Sequence, residues 1–326
     1  MAPVPSRLLT SGSEIPMLGL GTGTLGVRSK QTEEEVMEVL DTALECGYRH
    51  FDTAYAYRNE AAIGRSLKKW TSQGKVKRED LFITTKLSPD HNREADVAMS
   101  LQKSLANLGL SYVDLYLVHF PIGITATNNK EELISFADES NWTLDYETDH
   151  VAVWRAMEAQ VEAGRTKAIG LSNFNIQQIK RILKVCKVKP AVLQVEANAY
   201  FQERPLRTFC QENNIALCAY SPLGSPYKHS GSDQTSVLND PVVEEVAARL
   251  HKTPAQVLLR FLHQLDIIPI TKSASRTHQL ENIQMLDFQL SAEEMERLTA
   301  LDKGEAARKF SIQFLPNTEN HPEFPF

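Results

Sequence analysis

Residues 48–60 read YRHFDTAYAYRNE, and this stretch decides the fold. It opens as an apolar strand candidate (48–51), reaches a carboxylate at Asp52 and carries a phenol, Tyr57, into the loop beyond. The same pattern recurs twice. Residues 81–85 (LFITT) lead into Lys86, and residues 113–118 (VDLYLV) lead into His119. Taken singly, such an Asp caps or pairs, such a Tyr packs, and such a Lys is solvated. Three successive apolar runs that each end in a polar group have a different meaning. They carry a carboxylate, a phenol, an amine and an imidazole to one edge of one sheet.

Working outward, eight short apolar runs read as strands: 17–21, 48–51, 81–85, 113–118, 167–171, 191–195, 216–220 and 266–270. Helical patterns lie between and after them at 32–46, 60–70, 93–108, 150–163, 176–186 and 205–213, with a pair at 241–251 and 254–263. The first opens with Thr32 and Glu35, the spacing of a capping box. Eight β-then-α units without an interrupting linker predict a closed parallel (β/α)8 barrel, one domain over residues 1–326. A hairpin-like stretch, 7–16, precedes it. Two βα loops are long: 121–149, with 125–130 polar and irregular, and 221–240. Loops of that length usually act as lids or binding segments. The tail 302–326 ends in HPEFPF and is expected to fold over the active-site face.

Barrel enzymes place their chemistry at the C-terminal ends of the strands, which is where Asp52, Tyr57, Lys86 and His119 fall. A tyrosine has a reference pKa of about 10, too high for an efficient acid at neutral pH. A buried Lys86 ammonium beside Tyr57 would favour the phenolate and lower that value. Asp52 would keep the lysine charged and aimed, and His119 would hold a substrate carbonyl. General acid catalysis of this kind contributes about 10²–10⁴-fold.

At 42% hydrophobic and 23% charged, the 326-residue chain has an ordinary globular composition. A net charge of −6 and scattered basic residues argue against nucleic-acid or anionic-membrane partners. The one dense basic cluster, 68–80 (KKWTSQGKVKRED), reads as a solvated helix end and turn. The N-terminus has no apolar core, and no signal peptide or membrane span is expected. Cys46, Cys186, Cys210 and Cys218 form no C-x-x-C pair. The first three fall in helical patterns and Cys218 in a strand, as free buried thiols of a reduced, cytoplasmic protein would. The nine histidines show no H-x-x-x-H or H-x-H spacing, and no metal site is expected. Asn141-Trp-Thr143 matches a glycosylation sequon, which has no meaning in a cytosolic protein.

Eight segments together resemble the aldo-keto reductase superfamily over essentially the whole chain. They are MLGLGTG, GYRHFDTAYAYRNEAAIGRSL, FITTKL, DLYLVHFP, GLSNFN, LQVEANAY, YSPLGSP and ITKSASRTHQLENI. The resemblance implies a monomeric (β/α)8 barrel that binds NADPH across its top and passes hydride to an aldehyde or ketone. Tyr57 would be the acid, Lys86 and Asp52 its tuners and His119 the carbonyl donor. Ser172, Asn173 and Gln194 would hold the nicotinamide carboxamide, and Tyr220 would stack under the ring. Ser221, Leu223 and Ser225 would cradle the pyrophosphate, and Gly21 and Thr22 are placed with the cofactor. Lys272 and Ser273 match the site of the 2′-phosphate, and Glu281 and Asn282 would meet the adenine. Without the family, Ser and Asn in these loops read as turn chemistry. The G-x-G-x-G of Gly19, Gly21 and Gly23 lacks the third spacing of a dinucleotide fingerprint and carries no weight as one.

Two departures from the family pattern stand out. The arginine common six residues after the phosphate-binding lysine is His278 here, with Arg276 two residues earlier. Around the substrate, Gly23, Ala56 and Ser88 stand where relatives are bulkier, and Phe120 stands where Trp is frequent. Tyr227 is placed in the same pocket. Small walls predict a wide cleft and a bulky, steroid-like or other hydrophobic carbonyl. A weaker likeness to insect 3-dehydroecdysone reductases makes 3-dehydroecdysone a candidate. The alternatives are a general reductase of small aldehydes and xenobiotic carbonyls, or a binding or structural member with little activity. The intact Asp52, Tyr57, Lys86 and His119 argue against the last. A steroid double-bond reductase would carry Glu in place of His119.

Overall fold

The computed structural model describes residues 4–23, 25, 31–126, 142–225, 236–310 and 317–326. Strands β1 (Ser6–Leu8) and β2 (Glu14–Pro16) form an antiparallel hairpin with Arg7 opposite Ile15. The barrel strands are β3 (Gly19–Gly21), β4 (His50–Asp52), β5 (Phe82–Leu87) and β6 (Val113–Val118), continuing after β7 (Gly123–Ala126) and β8 (Trp142–Asp145) with β9 (Thr166–Ser172), β10 (Val192–Glu196), β11 (Ala216–Tyr220) and β12 (Ile267–Thr271). The eight barrel strands run parallel in chain order and close where β12 pairs with β3. The helices are α1 (Glu33–Cys46), α2 (Glu60–Ser72), α3 (Glu94–Leu108), α4 (His150–Glu162), α5 (Ile176–Leu183), α6 (Arg204–Glu212), α7 (Pro241–Leu250), α8 (Pro254–Gln264), α9 (Arg276–Ile283) and α10 (Ala292–Thr299).

Local signals explain the elements. Thr32 and Glu35 close the capping box at α1, with Glu35 N–H donating to Thr32 Oγ1 at 3.2 Å and Thr32 N–H to the Glu35 carboxylate at 2.8 Å. Gly47 ends that helix in the left-handed region, φ 101°. The glycine spacing in β3 serves barrel closure. A Cβ at Gly19 would lie 2.7 Å from Ile270 Cδ1 and 2.9 Å from His50 Nδ1. The N-terminal hairpin plugs the far end: Leu9, Ile15 and Met17 pack against Phe82, Ala191 and Ala216 inside the barrel.

Several boundaries differ from the sequence expectation. Asp52 and Lys86 lie inside β4 and β5, because their buried side chains are paired and the ladder continues through them. Within 121–149 the chain forms a hairpin, Gly123 opposite Asp145 and Ala126 opposite Trp142. Thr125 and Ala126 therefore belong to β7, not to an irregular stretch. Helices α9 and α10 follow the last strand and were not foreseen. In α9 the apolar positions are sparse, while α10 carries a full capping box, Ser291 with Glu294. Cys186 lies past the end of α5 and is half-buried, whereas Cys46, Cys210 and Cys218 are buried free thiols.

Candidate active site

Lys86 is fully buried near the C-terminal end of β5. Its ammonium donates to Asp52 Oδ1 at 2.5 Å, to the Thr53 carbonyl at 2.9 Å and to the Tyr57 hydroxyl at 3.4 Å. Burial alone would strip its charge, but Asp52 and then Tyr57 outweigh that, and the pKa is held above the ordinary lysine value. The ammonium also sits 5.0 Å from the centre of the Tyr57 ring. Tyr57, half-buried, belongs to a 3-10 turn, Tyr55–Tyr57, whose closing residue Arg58 is left-handed, φ 59°. Its hydroxyl lies 3.4 Å from His119 Nε2, and the two rings meet edge to face at 5.5 Å. His119 stacks on Phe120, centroids 4.7 Å apart and planes 18° from parallel. The four sequence-predicted residues thus converge around one point, with only the tyrosine partly exposed. One strand position below Asp52's neighbour Phe51, His50 has its pKa pushed down to about 4 by burial, against the pull of Asp52, which leaves it a neutral core residue at pH 7.

The residues expected to hold the nicotinamide end are knitted into this group. Gln194 Nε2 donates to Asp52 Oδ2 at 2.7 Å. Asn173, left-handed at φ 64°, donates from Nδ2 to the His119 carbonyl at 2.9 Å and to Ser172 Oγ at 3.0 Å. The Tyr220 hydroxyl donates to Asn173 Oδ1 at 2.8 Å, and Phe310 packs edge-on against the Tyr220 ring. Thr22 donates its N–H and hydroxyl to the Asp52 carbonyl at 2.9 and 3.1 Å. Gly21 is buried between Ile270 and the Thr271 carbonyl.

Farther round the barrel top, Ser221 and Ser225 are both left-handed, φ 53° and 48°, with their hydroxyls 2.9 Å apart, and Leu223 between them is half-buried. Lys272, Arg276 and His278 are exposed at and before the start of α9, while Ser273 Oγ accepts from Ser275 N–H at 3.0 Å. Arg276 approaches Glu45 at 4.0 Å. Glu281 is half-buried and Asn282 is buried at 4% exposure. The donor set at this end, exposed Lys272 and Arg276 with the hydroxyls of Ser221, Ser225 and Ser273, has the chemistry that a phosphate group requires.

Of the small pocket residues, Ala56 and Ser88 are buried at 7% and 1% exposure. A Cβ on Gly23 would stand 3.1 Å from Tyr57 Cζ, so this glycine faces the phenol ring. Phe120 joins Ile122, Ile124, Trp142, Phe324 and Phe326 in an apolar cluster beside His119. The tail is fixed there by Glu323, which pairs with Arg181 at 2.5 Å and accepts from Gln178 Nε2 at 3.1 Å. Tyr227 lies outside the described residues. Sequence reasoning gave no role to Thr53, whose carbonyl takes a Lys86 bond, or to Asn59 and Glu60, although both stand in the opening motif.

Comparison with known proteins decides the family. A model of the aldo/keto reductase family matches residues 17–303. The chain belongs to that family. This aldo/keto reductase is 40% identical over 330 residues to aldo-keto reductase family 1 member A1 of Gallus gallus, covering 98% of this chain and 96% of the relative. The Homo sapiens protein of that name is 39% identical over 329 residues, 98% and 97% covered. Among solved structures, the aldose reductase from Schistosoma japonicum aligns at TM-score 0.86 and 39% identity, over 99% of this chain and 98% of that one. A Bombyx mori aldo-keto reductase in complex with NADP aligns at TM-score 0.86 and 32% identity, over 100% of both chains. Among the described residues no helix is long and apolar enough to cross a membrane, and no cluster of His, Cys, Asp or Glu is arranged to hold a metal.

Proposed function

We propose that the chain is an NADPH-dependent carbonyl reductase in which Tyr57 is the proton donor, Lys86 and Asp52 set its acidity and His119 orients the carbonyl. One observation carries this: a fully buried ammonium held by Asp52 at 2.5 Å and aimed at the Tyr57 hydroxyl. NADPH supplies the hydride when bound. As the carbonyl oxygen gains charge, the Tyr57 proton moves to it, and the phenolate left behind faces the Lys86 ammonium. His119 Nε2, within reach of the same hydroxyl, offers a second contact to that oxygen. Ser172, Asn173, Gln194 and Tyr220 would hold the nicotinamide end. Ser221, Leu223 and Ser225 would hold the pyrophosphate, and Gly21 and Thr22 would contact the cofactor beside Asp52. Lys272, Ser273, Arg276 and His278 would hold the 2′-phosphate, and Glu281 and Asn282 the adenine. The Bombyx mori complex with NADP supports the cofactor. The free thiols and modest negative charge support a reduced, cytoplasmic setting, and we take the enzyme as a monomer.

For the substrate, the aromatic cluster around Phe120 supports a bulky hydrophobic carbonyl, with steroid-like ketones such as 3-dehydroecdysone the candidates. A second assignment, small aldehydes, is supported by Gly23 facing the Tyr57 ring, by the burial of Ala56 and Ser88, and by the likeness to an aldose reductase. Following NADPH absorbance with ketosteroids beside sugars and simple aldehydes separates them. Higher kcat/KM on the polycyclic ketones is expected. A preference for small sugars removes the bulky-substrate assignment, and no turnover of any carbonyl removes the reductase.

A further inference from the structure

The Asn-Glu end of the opening motif has no part in the proton chain, yet Asn59 is 4% exposed and its side-chain amide is used at both ends. We propose that Asn59 is a positioning residue for Tyr57, its amide locking the loop that carries the phenol to the loop that follows β3. The inference rests on Tyr57 being the acid.

Asn59 Oδ1 accepts from Thr53 Oγ1 at 2.9 Å. Its Nδ2 donates to the Thr22 carbonyl at 2.8 Å and to the Leu25 carbonyl at 3.1 Å. Thr22 donates back to the Asp52 carbonyl, and the Thr53 carbonyl accepts from Lys86 at 2.9 Å. Residues 52 and 59 are therefore both tied to the same neighbouring loop, and Tyr57 hangs between the two ties. The wall opposite the phenol is Gly23, inside the segment that Asn59 holds, with room for a Cβ only 3.1 Å from Tyr57 Cζ. The Tyr57 contacts to Lys86 and His119, both 3.4 Å, are already at the long limit of a hydrogen bond. An ångström of drift in the loop at Thr22 and Leu25 would let the phenol swing out of range of both, or push it onto them. The job needs one acceptor and two donors on a short planar group. Aspartate lacks the donors and would add a charge near Lys86, and serine is too short to span the three partners.

The test is Asn59→Ala beside Tyr57→Phe, reading melting temperature, NADPH affinity and kcat against pH. Misplacement of the acid is expected to lower kcat about 10–100-fold. It should also move the alkaline limb of the kcat profile to higher pH, because a phenol farther from the ammonium is less acidic. A merely structural amide would lower the melting temperature and leave both kcat of the folded enzyme and the limb in place. Should Asn59→Ala fail to fold, Thr53→Val removes one of the three bonds while keeping the carbonyl that serves Lys86. It is expected to lower kcat about 2–10-fold, the worth of one neutral hydrogen bond. An inactive Tyr57→Phe together with unchanged kcat and pH limb in the Asn59 and Thr53 variants overturns the positioning role alone. An active Tyr57→Phe overturns the mechanism beneath it.

Discussion

Lys86 stands one residue before the C-terminal end of β5 and Lys272 one residue past that of β12, and they are opposites. Lys86 is fully buried, holds three acceptors and is surrounded by side chains that bond one another. Lys272 is exposed just before α9, beside exposed Arg276 and His278. A buried ammonium keeps its charge only because Asp52 is fixed beside it, and there the field on Tyr57 is barely screened by water or salt. An exposed lysine exerts a field that water and salt weaken, but it is free to meet a phosphate. Proton transfer needs the first arrangement and reversible cofactor binding needs the second. The two ends should therefore fail differently when disturbed.

The largest effect is expected at the buried end. Tyr57→Phe should lower kcat by about 10² or more, since a general acid is lost, while NADPH affinity by fluorescence quenching stays close to wild type. Retention of near-normal turnover on a good substrate would break the contrast at once. At the exposed end, Lys272→Met should raise KM for NADPH about tenfold or more, the worth of one charge-assisted contact, and leave NADH and kcat almost unchanged. That loss should shrink as salt rises. Equal effects on both cofactors would take Lys272 out of the 2′-phosphate site.

A smaller effect concerns the segment that reaches back to Tyr220. Arg308 packs over Phe201 and Phe326 and pairs with Glu203 at 3.3 Å. Burial pushes the Glu203 carboxyl up to about 7, with Arg308 only partly offsetting it and Glu305 adding to it. A raised carboxyl binds its proton more tightly in the folded chain. Its contribution to stability is therefore complete below the unfolded value of about 4.3 and is lost as pH rises through about 7. Glu203→Gln should flatten the dependence of melting temperature on pH between those limits. An unchanged slope would show that Glu203 titrates normally.

The same contrast explains what was legible in the sequence. The eight strands and the four residues that converge at their ends could be read because an apolar run followed by a polar residue is a local signal. The strand ends were set one or two residues short, because hydropathy stops at Asp52 and Lys86 while the ladder does not. The hairpin of β7 and β8 was missed because each strand has four residues and the pairing spans a long separation. The Asn59 bonds reach back 34 and 37 residues, and no local pattern reports a contact of that range. The phosphate-end residues rest on family resemblance, since Lys, Ser and Arg on exposed loops have no distinctive local signature.

The central claim is that Tyr57 and Lys86 act as one unit. The direct measurement is kcat for Tyr57→Phe, Lys86→Met and the double variant, with melting temperature and NADPH affinity confirming that each is folded and loaded. If the ammonium serves the reaction only through the phenol, the double variant should be no slower than Tyr57→Phe alone, because residues that work together lose their effect together. Losses that multiply in the double variant would show two independent contributions and would contradict the account.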